Sequence, residues 1–380
     1  MLTEKLTNYT VILCSNYAWT IYNFRLPLIR KLKELGFKVI VLTQFDGFEK
    51  KLNKEVDIVL PLFISRNGVN PIIDTLTIID LFRKIYQIKP HLVLFFTIKP
   101  VIYGSLVSSL LGINSIVTIT GLGTSFIKNN WITKVVKFLY KFTLKHCSII
   151  FFQNNSDKRL FEELSLVKKQ VCKIIPGSGI NLDLFKYSQP KNDKDLTFLL
   201  IARMLWDKGI GEFIGAAKIV KNEYPKTLFK LLGPIGVQNR TAVSNKQIID
   251  WHNSSIIEYL GESTNVSEYI KNSSCVVLPS YREGISRVLL EASAIGRPMI
   301  ASNVPGCREI VEDEINGFIC RVKDINDLAE KIIRMIRLPF QQRIEMGVNA
   351  RKKMHNEFSI DIVNKIYIEN IFHVIKNKKN

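Results

Sequence analysis

Short apolar runs that alternate with longer amphipathic stretches constrain the fold of this chain more than any other feature. In the first half the runs lie at residues 11–14, 39–42, 92–96, 115–119 and 149–152. Stretches with helical periodicity precede them, such as residues 24–35, which Gly36 ends. Apolar strands joined by helices indicate a parallel sheet that is covered on both faces. The sequence therefore predicts an α/β fold.

The scheme repeats after a polar segment at residues 187–195. Strands are predicted at residues 197–202, 228–232, 255–259, 275–278 and 298–301, and helices at 211–222, 286–295 and 359–376. A chain of 380 residues fits two domains of ordinary size. We predict a first Rossmann-like domain over residues 1–188, a second over 189–357, and a C-terminal helix over 358–380 that packs back toward the first. Ligands of such sheets bind at the carboxyl ends of the strands, so we expect a crevice where the two sheets face each other.

Several features bear on the compartment. The six cysteines include no Cys-x-x-Cys pair, which is typical of buried thiols in a reducing compartment rather than of disulfides or a zinc site. The first ten residues lack the pattern of a signal peptide, so we expect a cytoplasmic protein. Residues 101–127 are uncharged and long enough to span a membrane. Serine and threonine interrupt them and residues 112–114 form a turn signal, which favours a buried helix, turn and strand.

The net charge of +19 is concentrated in the first half of the chain. Residues 1–188 carry 25 Lys and Arg against 12 Asp and Glu, and no acid occurs between Asp80 and Asp157. Such asymmetry indicates a polyanionic partner, either nucleic acid or anionic lipid. The aromatic residues of this half lie in apolar runs and no nucleic-acid motif interleaves them with cations, which favours lipid.

An acid-free amphipathic helix is predicted at residues 129–146. The spacing places Lys134, Lys137, Lys141 and Lys145 on one face, and Val135, Phe138, Leu139 and Phe142 on another. A helix of this kind either packs its apolar face on the sheet or lies in an anionic membrane interface. We expect it to place the protein peripherally on the inner face of the cell membrane.

The strongest local signal for chemistry follows the strand at residues 275–278. Gly284 lets a ligand approach the backbone, and the N–H groups of residues 284–286 open a helix suited to a diphosphate. Glu283 lies just before this helix and Glu291 about two turns along it, on an otherwise apolar surface. Paired carboxylates accept hydrogen bonds from sugar hydroxyls, although a solvated pair of acids is the commoner outcome for such spacing.

A second signal follows the strand at residues 197–202. Arg203 and Lys208 lie five residues apart in the turn before a helix. Arg binds a phosphate through a bidentate fork and Lys binds it as a point charge, so the two cations can flank a diphosphate. They are ordinary surface cations if considered alone, but they stand at a strand end beside another anion-suited helix.

These residues resemble the family 4 retaining glycosyltransferases of the GT-B fold. The family's E-x7-E motif matches Glu283 and Glu291, and its phosphate clamp matches Arg203 and Lys208. In the first half, residues 22–26, 97–104 and 120–124 are similar to bacterial enzymes that build lipid-linked surface glycans such as capsule, lipopolysaccharide and O-antigen. Among these are N-acetylgalactosaminyltransferases that extend undecaprenyl-diphosphate sugars.

The resemblance implies a role for each matching residue. Arg203 and Lys208 would hold the donor diphosphate and stabilise the charge that develops on it, Glu283 would contact the donor sugar, and Glu291 the ribose. The backbone N–H groups of Gly284 and Ile285 would complete the leaving-group site. The acceptor-side positions implied in the first domain are Asn16, Arg25, Lys99, Gly121 and Gly123. The first strand departs from the family, because residues 15–19 stand where many members carry a glycine pair.

The activity implied is transfer of a hexose or N-acetylhexosamine from a nucleotide diphosphate sugar, by resemblance a UDP sugar, to a lipid-linked oligosaccharide. No cofactor beyond this co-substrate is expected. We also expect no metal ion, because the only Asp-x-Asp, at residues 193–195, lies in the interdomain linker. A sugar-nucleotide epimerase or phosphorylase on the same fold, and a basic nucleic-acid-binding module, are the alternatives.

Overall fold

The computed structural model describes residues 9–65, 70–122, 131–192, 195–237 and 239–377, without the side chains of residues 131 and 132. The chain divides into two compact units, Met1–Ser178 with Ile360–Asn380, and Gly179–Ser359. Each unit contains one parallel β-sheet with helices on its faces. The predicted α/β class with two parallel-sheet domains is confirmed.

Seven strands form the sheet of the first unit in the order β3-β2-β1-β4-β5-β6-β7. All neighbours pair in parallel. The strands are β1 (Thr10–Tyr17), β2 (Lys38–Gln44), β3 (Ile58–Pro61), β4 (Leu92–Phe96), β5 (Asn114–Ile119), β6 (Ile149–Phe152) and β7 (Cys172–Ile174). The direction of the strand order reverses between β1 and β4, which is the position where open α/β sheets bind their ligands.

The helices between these strands cover both faces of the sheet. They are α1 (Ala18–Glu34), α2 (Glu49–Leu52), α3 (Pro71–Ile88), α4 (Ser105–Leu110), α5 (Trp131–Thr143) and α6 (Asn155–Glu163). Leu28 and Leu32 of α1 are buried on one face. Leu81 of α3, Val107 of α4 and Tyr140 of α5 are buried on the other. The strands are therefore enclosed, as their continuous apolar sequences predict.

The sheet of the second unit has the order β10-β9-β8-β11-β12-β13 and is also parallel throughout. Its strands are β8 (Thr197–Ile201), β9 (Leu228–Leu232), β10 (Glu258–Tyr259), β11 (Cys275–Leu278), β12 (Met299–Ser302) and β13 (Gly317–Cys320). Its helices are α7 (Ile210–Glu223), α8 (Asn245–Asn253), α9 (Val266–Lys271), α10 (Arg287–Ile295), α11 (Ile325–Arg337) and α12 (Phe340–Lys353). The strand order reverses between β8 and β11.

The division between the units lies ten residues before the predicted boundary at residue 188. Ile180 and Phe185 are buried in the core of the second unit. Arg351 of α12 donates hydrogen bonds to the carbonyl oxygens of Leu182, at 3.1 Å, and of Phe185. Residues 179–185 are therefore a packed part of the second unit, whereas the sequence analysis assigned them to the first domain.

The last helix, α13 (Ile360–Lys376), belongs to the first unit. Tyr367 is fully buried there, and its hydroxyl lies 2.8 Å from Oγ1 of Thr118 in β5. The helix also contacts α1. It completes the cover of one face of the first sheet.

The uncharged residues 101–127 form a π-helical turn at Pro100–Gly104, then α4, a turn and β5 as far as the structure describes them. Gly112 has a φ of +64°, which suits glycine at that turn. The predicted helix, turn and strand are confirmed. Within the described residues, no helix is both long and apolar enough to cross a membrane.

The outer surface of α5 differs from the prediction. Lys134, Lys141 and Lys145 are exposed, but so are Val135, Phe138 and Phe142. Leu139 and other inward residues of the helix pack on the sheet core instead. The apolar side chains were predicted to lie on a face separate from the lysines, whereas three of them share the exposed surface with those cations.

Candidate active site

The candidate donor site lies at the carboxyl ends of β8 and β11, where the strand order of the second sheet reverses. Lys208 follows β8 and Glu283 follows β11. The Lys208 Nζ and Glu283 Oε1 atoms are 2.5 Å apart, and both side chains are largely buried. The structure therefore brings two of the three predicted catalytic residues into direct contact.

Arg203 is the third predicted catalytic residue and lies in the same loop as Lys208. Its side chain is exposed and forms no hydrogen bond or ion pair with the residues that the structure describes. A guanidinium group in this state keeps its full donor set for a ligand. The loop thus combines one paired cation with one solvated cation.

Hydrogen bonds join the loop after β8 to the loop after β11. The carbonyl oxygen of Asp207 accepts from the Tyr281 N–H at 2.9 Å and from Ser280 Oγ at 3.2 Å. Gly209 has a φ of +74°, and a Cβ at this position would lie 2.1 Å from the carbonyl oxygen of Pro279. Only glycine allows this approach, so the backbone itself fixes Lys208 beside Glu283.

A third loop, which follows β12, holds the backbone around Glu283. The Glu283 N–H donates to the Pro305 carbonyl at 3.2 Å, and the Ser286 N–H donates to the Gly306 carbonyl at 3.1 Å. The prediction of available N–H groups at residues 284–286 is therefore wrong for Ser286, because this N–H is already bonded. Gly284 and Ile285 lie in the same turn before α10.

Glu291 lies on α10, whose N-cap is Ser286 as predicted. Its carboxylate accepts a hydrogen bond from Arg287 Nε at 2.8 Å, and Arg287 also donates to the Gly179 carbonyl. Burial raises the pKa of the Glu291 carboxyl, and the positive charge of Arg287 opposes this shift. The two glutamates of the motif thus have different partners, Lys208 for Glu283 and Arg287 for Glu291.

In the first unit, predicted acceptor-side residues lie at the ends of β1, β4 and β5. The Asn16 N–H donates to Thr97 Oγ1 at 3.2 Å. Lys99 Nζ is 2.7 Å from Asp74 Oδ1, and both of these side chains are largely buried. Gly121, with a φ of +127°, follows β5. The structure places Asn16, Lys99 and Gly121 at the same edge of the sheet, and Gly123 lies outside the described residues.

Arg25 has a different environment. It is buried in α1, and its guanidinium carbon lies 4.4 Å from the centre of the Phe96 ring and 5.5 Å from that of Tyr367. Contacts of this type stabilise a buried cation through the ring faces. The structure thus gives Arg25 a packing function in the core of the first unit.

At the ends of β1 and β2, sequence reasoning identified Asn16 but missed the polar groups of Ser15 and Gln44. Ser15 Oγ, Asn16 Oδ1 and Gln44 Oε1 are buried and make no hydrogen bond within the described part of the chain. Thr97 has a φ of +68°, which is unusual for a β-branched residue. Buried oxygens without donors are costly, so this edge is suited to a ligand that supplies donors. The sequence signal that could have identified these residues is that each apolar strand ends in polar residues.

Within the described residues, no metal cluster competes with these positions. Among the described residues, no group of three or more His, Cys, Asp and Glu could hold a metal ion. Asp195 is exposed, and Asp193 is outside the described residues. All six cysteines are buried free thiols. Two surface cavities contain none of the predicted site residues, and are lined by Asn114, Ser148 and His373 in one unit and by Lys230, Glu268 and Tyr269 in the other.

Two family profiles match the chain, one in each unit. The profile "Glycosyl transferase 4-like" matches residues 10–154, and "Glycosyl transferases group 1" matches residues 183–353. Together they cover most of the sequence. The chain belongs to the family 4 glycosyltransferases. The resemblance predicted from the motifs is confirmed, and the protein is a hexosyltransferase.

This glycosyltransferase is similar to two bacterial enzymes. It is 28% identical to N,N'-diacetylbacillosaminyl-diphospho-undecaprenol alpha-1,3-N-acetylgalactosaminyltransferase of Campylobacter jejuni, over 96% of this chain and 98% of that protein. It is 25% identical to UDP-Gal:alpha-D-GlcNAc-diphosphoundecaprenol alpha-1,3-galactosyltransferase of Escherichia coli, over 80% and 81% of the two chains.

The fold of this glycosyltransferase matches that of solved structures. Anabaena HepE, crystallised in complex with UDP-glucose, aligns with a TM-score of 0.77 at 17% identity, over 96% of this chain and 99% of that one. At this identity the match concerns the fold alone. It confirms the predicted GT-B fold class.

Proposed function

We propose that the protein is a retaining transferase that moves a hexose or N-acetylhexosamine from a UDP-linked donor to a lipid-linked oligosaccharide. The observation that carries the donor half is the contact between Lys208 and Glu283 at the strand-order reversal of the second sheet, with Arg203 exposed in the same loop. Cations and a carboxylate at this position match a substrate that combines a diphosphate with sugar hydroxyls.

A bound donor would replace the ion pair between Lys208 and Glu283 with its own contacts to each residue. A diphosphate that binds Lys208 and Arg203 releases the Glu283 carboxylate, which then accepts hydrogen bonds from the sugar hydroxyls. When the glycosidic bond breaks, negative charge accumulates on the leaving diphosphate, and the two cations stabilise it more strongly than they stabilise the intact donor. Uridine as the base is supported by the E. coli relative, whose name specifies UDP-Gal.

The acceptor half of the proposal concerns the first unit. Ser15, Asn16 and Gln44 present buried oxygens without donors at the ends of β1 and β2. Sugar hydroxyls and acetamido N–H groups are donors that satisfy such oxygens. Both relatives are named for acceptors that are linked to undecaprenol through a diphosphate, which supports a lipid-linked acceptor here.

Attachment to an anionic membrane on its inner face is the third part of the proposal. Lys134 and Lys141 are exposed on α5 beside Phe138 and Phe142, and Lys145 is exposed in the turn directly after the helix. Each lysine near anionic lipid contributes about 1 kcal/mol. This is sufficient for reversible docking of an enzyme whose acceptor resides in the bilayer.

A transfer assay tests the reaction. Several nucleotide sugars are offered to the enzyme with a short-chain polyprenyl-diphosphate sugar, and the products are examined by mass spectrometry and NMR. We expect a UDP sugar to give an acceptor-dependent product that keeps the donor's anomeric configuration. Conversion of the nucleotide sugar to an epimer without an acceptor would instead identify the alternative enzyme class.

Charge reversal tests the attachment. Replacing Lys134, Lys137, Lys141 and Lys145 by Glu should release the protein from anionic liposomes and slow transfer to a lipid-linked acceptor, without changing donor hydrolysis in solution. The matched control reverses four exposed lysines of the second unit, namely Lys218, Lys226, Lys246 and Lys352. Equal loss of binding in both variants would contradict a specific contribution of α5, because they change the net charge equally.

A further inference from the structure

An apolar stripe runs along the outer face of α3. Five of its exposed side chains form one stripe with helical spacing, and their exposed fractions range from 38% to 74%. They are Ile72, Leu76, Ile79, Phe82 and Tyr86. Such a stripe normally faces a protein core, but here it faces outward on the unit that contains it.

This stripe continues onto the neighbouring helices. α4 contacts both α3 and α5, and the three helices cover the same face of the first sheet. Leu110 at the end of α4 is 67% exposed, and Phe138 on α5 is 68% exposed. The outer surface of α3, α4 and α5 is therefore an extended apolar layer, which we call the α3–α5 surface.

The charges on the α3–α5 surface are all positive. The only two carboxylates in these helices are withdrawn from it, because Asp74 is buried against Lys99 and Asp80 is paired with Lys84. The exposed ionic groups of the surface are Arg83, Lys134 and Lys141, and Lys145 is exposed in the turn directly after α5. Apolar groups mixed with cations and free of exposed carboxylates complement an anionic bilayer, in which acyl chains lie next to negative headgroups.

We infer that the apolar stripe of α3 inserts into the acyl-chain boundary of an anionic bilayer, while the lysines of α5 attract its headgroups. The inference extends the proposed membrane attachment and rests on it. The two contributions respond differently to salt. Screening weakens the attraction of exposed charges, whereas the burial of apolar side chains persists at high ionic strength. Insertion of α3 therefore predicts a fraction of binding that resists salt.

The test replaces Ile72, Leu76 and Ile79 by Gln, which keeps helix propensity and charge. The matched control replaces three exposed apolar residues on helices of the second unit, Ile219, Ile249 and Val348, by Gln. Sedimentation with phosphatidylglycerol–phosphatidylethanolamine vesicles is measured at low salt and at about 1 M NaCl, where the screening length is about 3 Å. Parent and control should retain binding at high salt, and the α3 variant should lose it by roughly tenfold or more.

Two results would overturn the inference. One is an α3 variant that partitions like the parent at high salt, and the other is a parent without salt-resistant binding. Light scattering without vesicles tests whether a second copy of the chain covers the apolar stripe instead of a bilayer. If the parent protein is a dimer and the α3 variant is a monomer, the inference is also overturned. Transfer to a water-soluble acceptor analogue should be the same in parent and variant. If the parent protein does not catalyse this transfer, the proposed reaction is contradicted. The vesicle sedimentation then still tests insertion of α3 by itself.

Discussion

Lys208 and Glu283 satisfy each other in the structure, although the proposed reaction assigns them to different parts of the donor. In this contact, the two largely buried charges compensate each other. Breaking such an ion pair costs free energy, because a buried charge without its partner is poorly solvated. Donor binding is favourable only if the contacts of the diphosphate with Lys208 and of the sugar hydroxyls with Glu283 together compensate for the loss of the ion pair. We therefore expect both groups of the donor to be needed for tight binding.

Alanine substitution of the two clamp cations tests this assignment. Lys208→Ala and Arg203→Ala should each lower kcat/KM by about 10²–10³, because each removes a positive charge that opposes the developing charge on the leaving diphosphate. Steady-state kinetics measure the loss. Lys230→Ala is the control, since it breaks an ion pair with Glu258 in the same unit but away from the site. Near-parental kcat/KM in both clamp variants would contradict the donor assignment.

The Glu291 carboxyl gives a pH prediction. Its pKa is raised by burial, so the folded state holds this proton more tightly than the unfolded state does. The free energy of unfolding should therefore fall as the pH rises from the ordinary carboxyl range through the raised pKa. Glu291→Gln removes that slope, and urea unfolding at a series of pH values compares the two proteins. Parallel pH profiles would show that Glu291 does not titrate in this way.

The main residues of the candidate donor site were predictable from sequence because they are local signals, a carboxylate pair and a cation pair directly after apolar strands. Their partners were not predictable. The contact of Lys208 with Glu283 joins positions 75 residues apart, and the bond between the Ser286 N–H and the Gly306 carbonyl depends on a third strand end. Ser15 and Gln44 also escaped, since only the pairing of β1 with β2 brings them to one edge.

At the scale of elements, three loops form the candidate donor site, and glycine permits their contact. Gly306 follows β12 with a φ of +82°, and a Cβ there would lie 2.5 Å from the Gly284 carbonyl oxygen and 2.7 Å from Glu283 Cβ. Any side chain must push the Glu283 turn away from its position. The geometry of the E-x7-E segment thus depends on a residue outside that segment.

Gly306→Ala should therefore damage activity beyond its effect on folding. Its matched control is Gly261→Ala, where φ is +75° but no atom lies within 4 Å of the added Cβ. Both variants should lose about 1–2 kcal/mol of unfolding free energy from backbone strain. Only Gly306→Ala should also lower kcat/KM, by about tenfold or more, because it displaces Glu283. Equal kinetic effects in the two variants would contradict this function of the β12 loop.

The predictability of the elements depends on their length and burial. Four strands, at residues 92–96, 149–152, 228–232 and 275–278, have the predicted bounds because they lie in the interior of a sheet. Three of them are continuous apolar runs, and Lys230 interrupts the strand at 228–232. The edge strands β3 and β7 were missed, since three or four residues with exposed positions give no clear periodicity. On α5, apolar residues occur on more than one side of the helix, and their spacing alone does not predict which side packs on the sheet.

At the scale of the whole molecule, both units place polar residues at the reversal of their own strand order. Their charges differ. The second unit contains the cations of the proposed donor clamp, and the first unit contains unpaired oxygens and a positively charged helical surface. The net charge of +19 supports the proposal that this chain binds anionic substrates and lipid headgroups.

We expect transfer to be independent of divalent metal ions, because Arg203 and Lys208 can neutralise the leaving diphosphate that a metal ion neutralises in other transferases. The purified enzyme, dialysed against a chelator, should release nucleoside diphosphate at an unchanged rate, and Mg²⁺ or Mn²⁺ should not increase it. Lys208→Ala supplies the internal comparison, since partial rescue of this variant by Mg²⁺ would indicate that the lysine performs the same neutralisation. Activity of the parent that is abolished by the chelator and restored by Mg²⁺ or Mn²⁺ would refute metal independence.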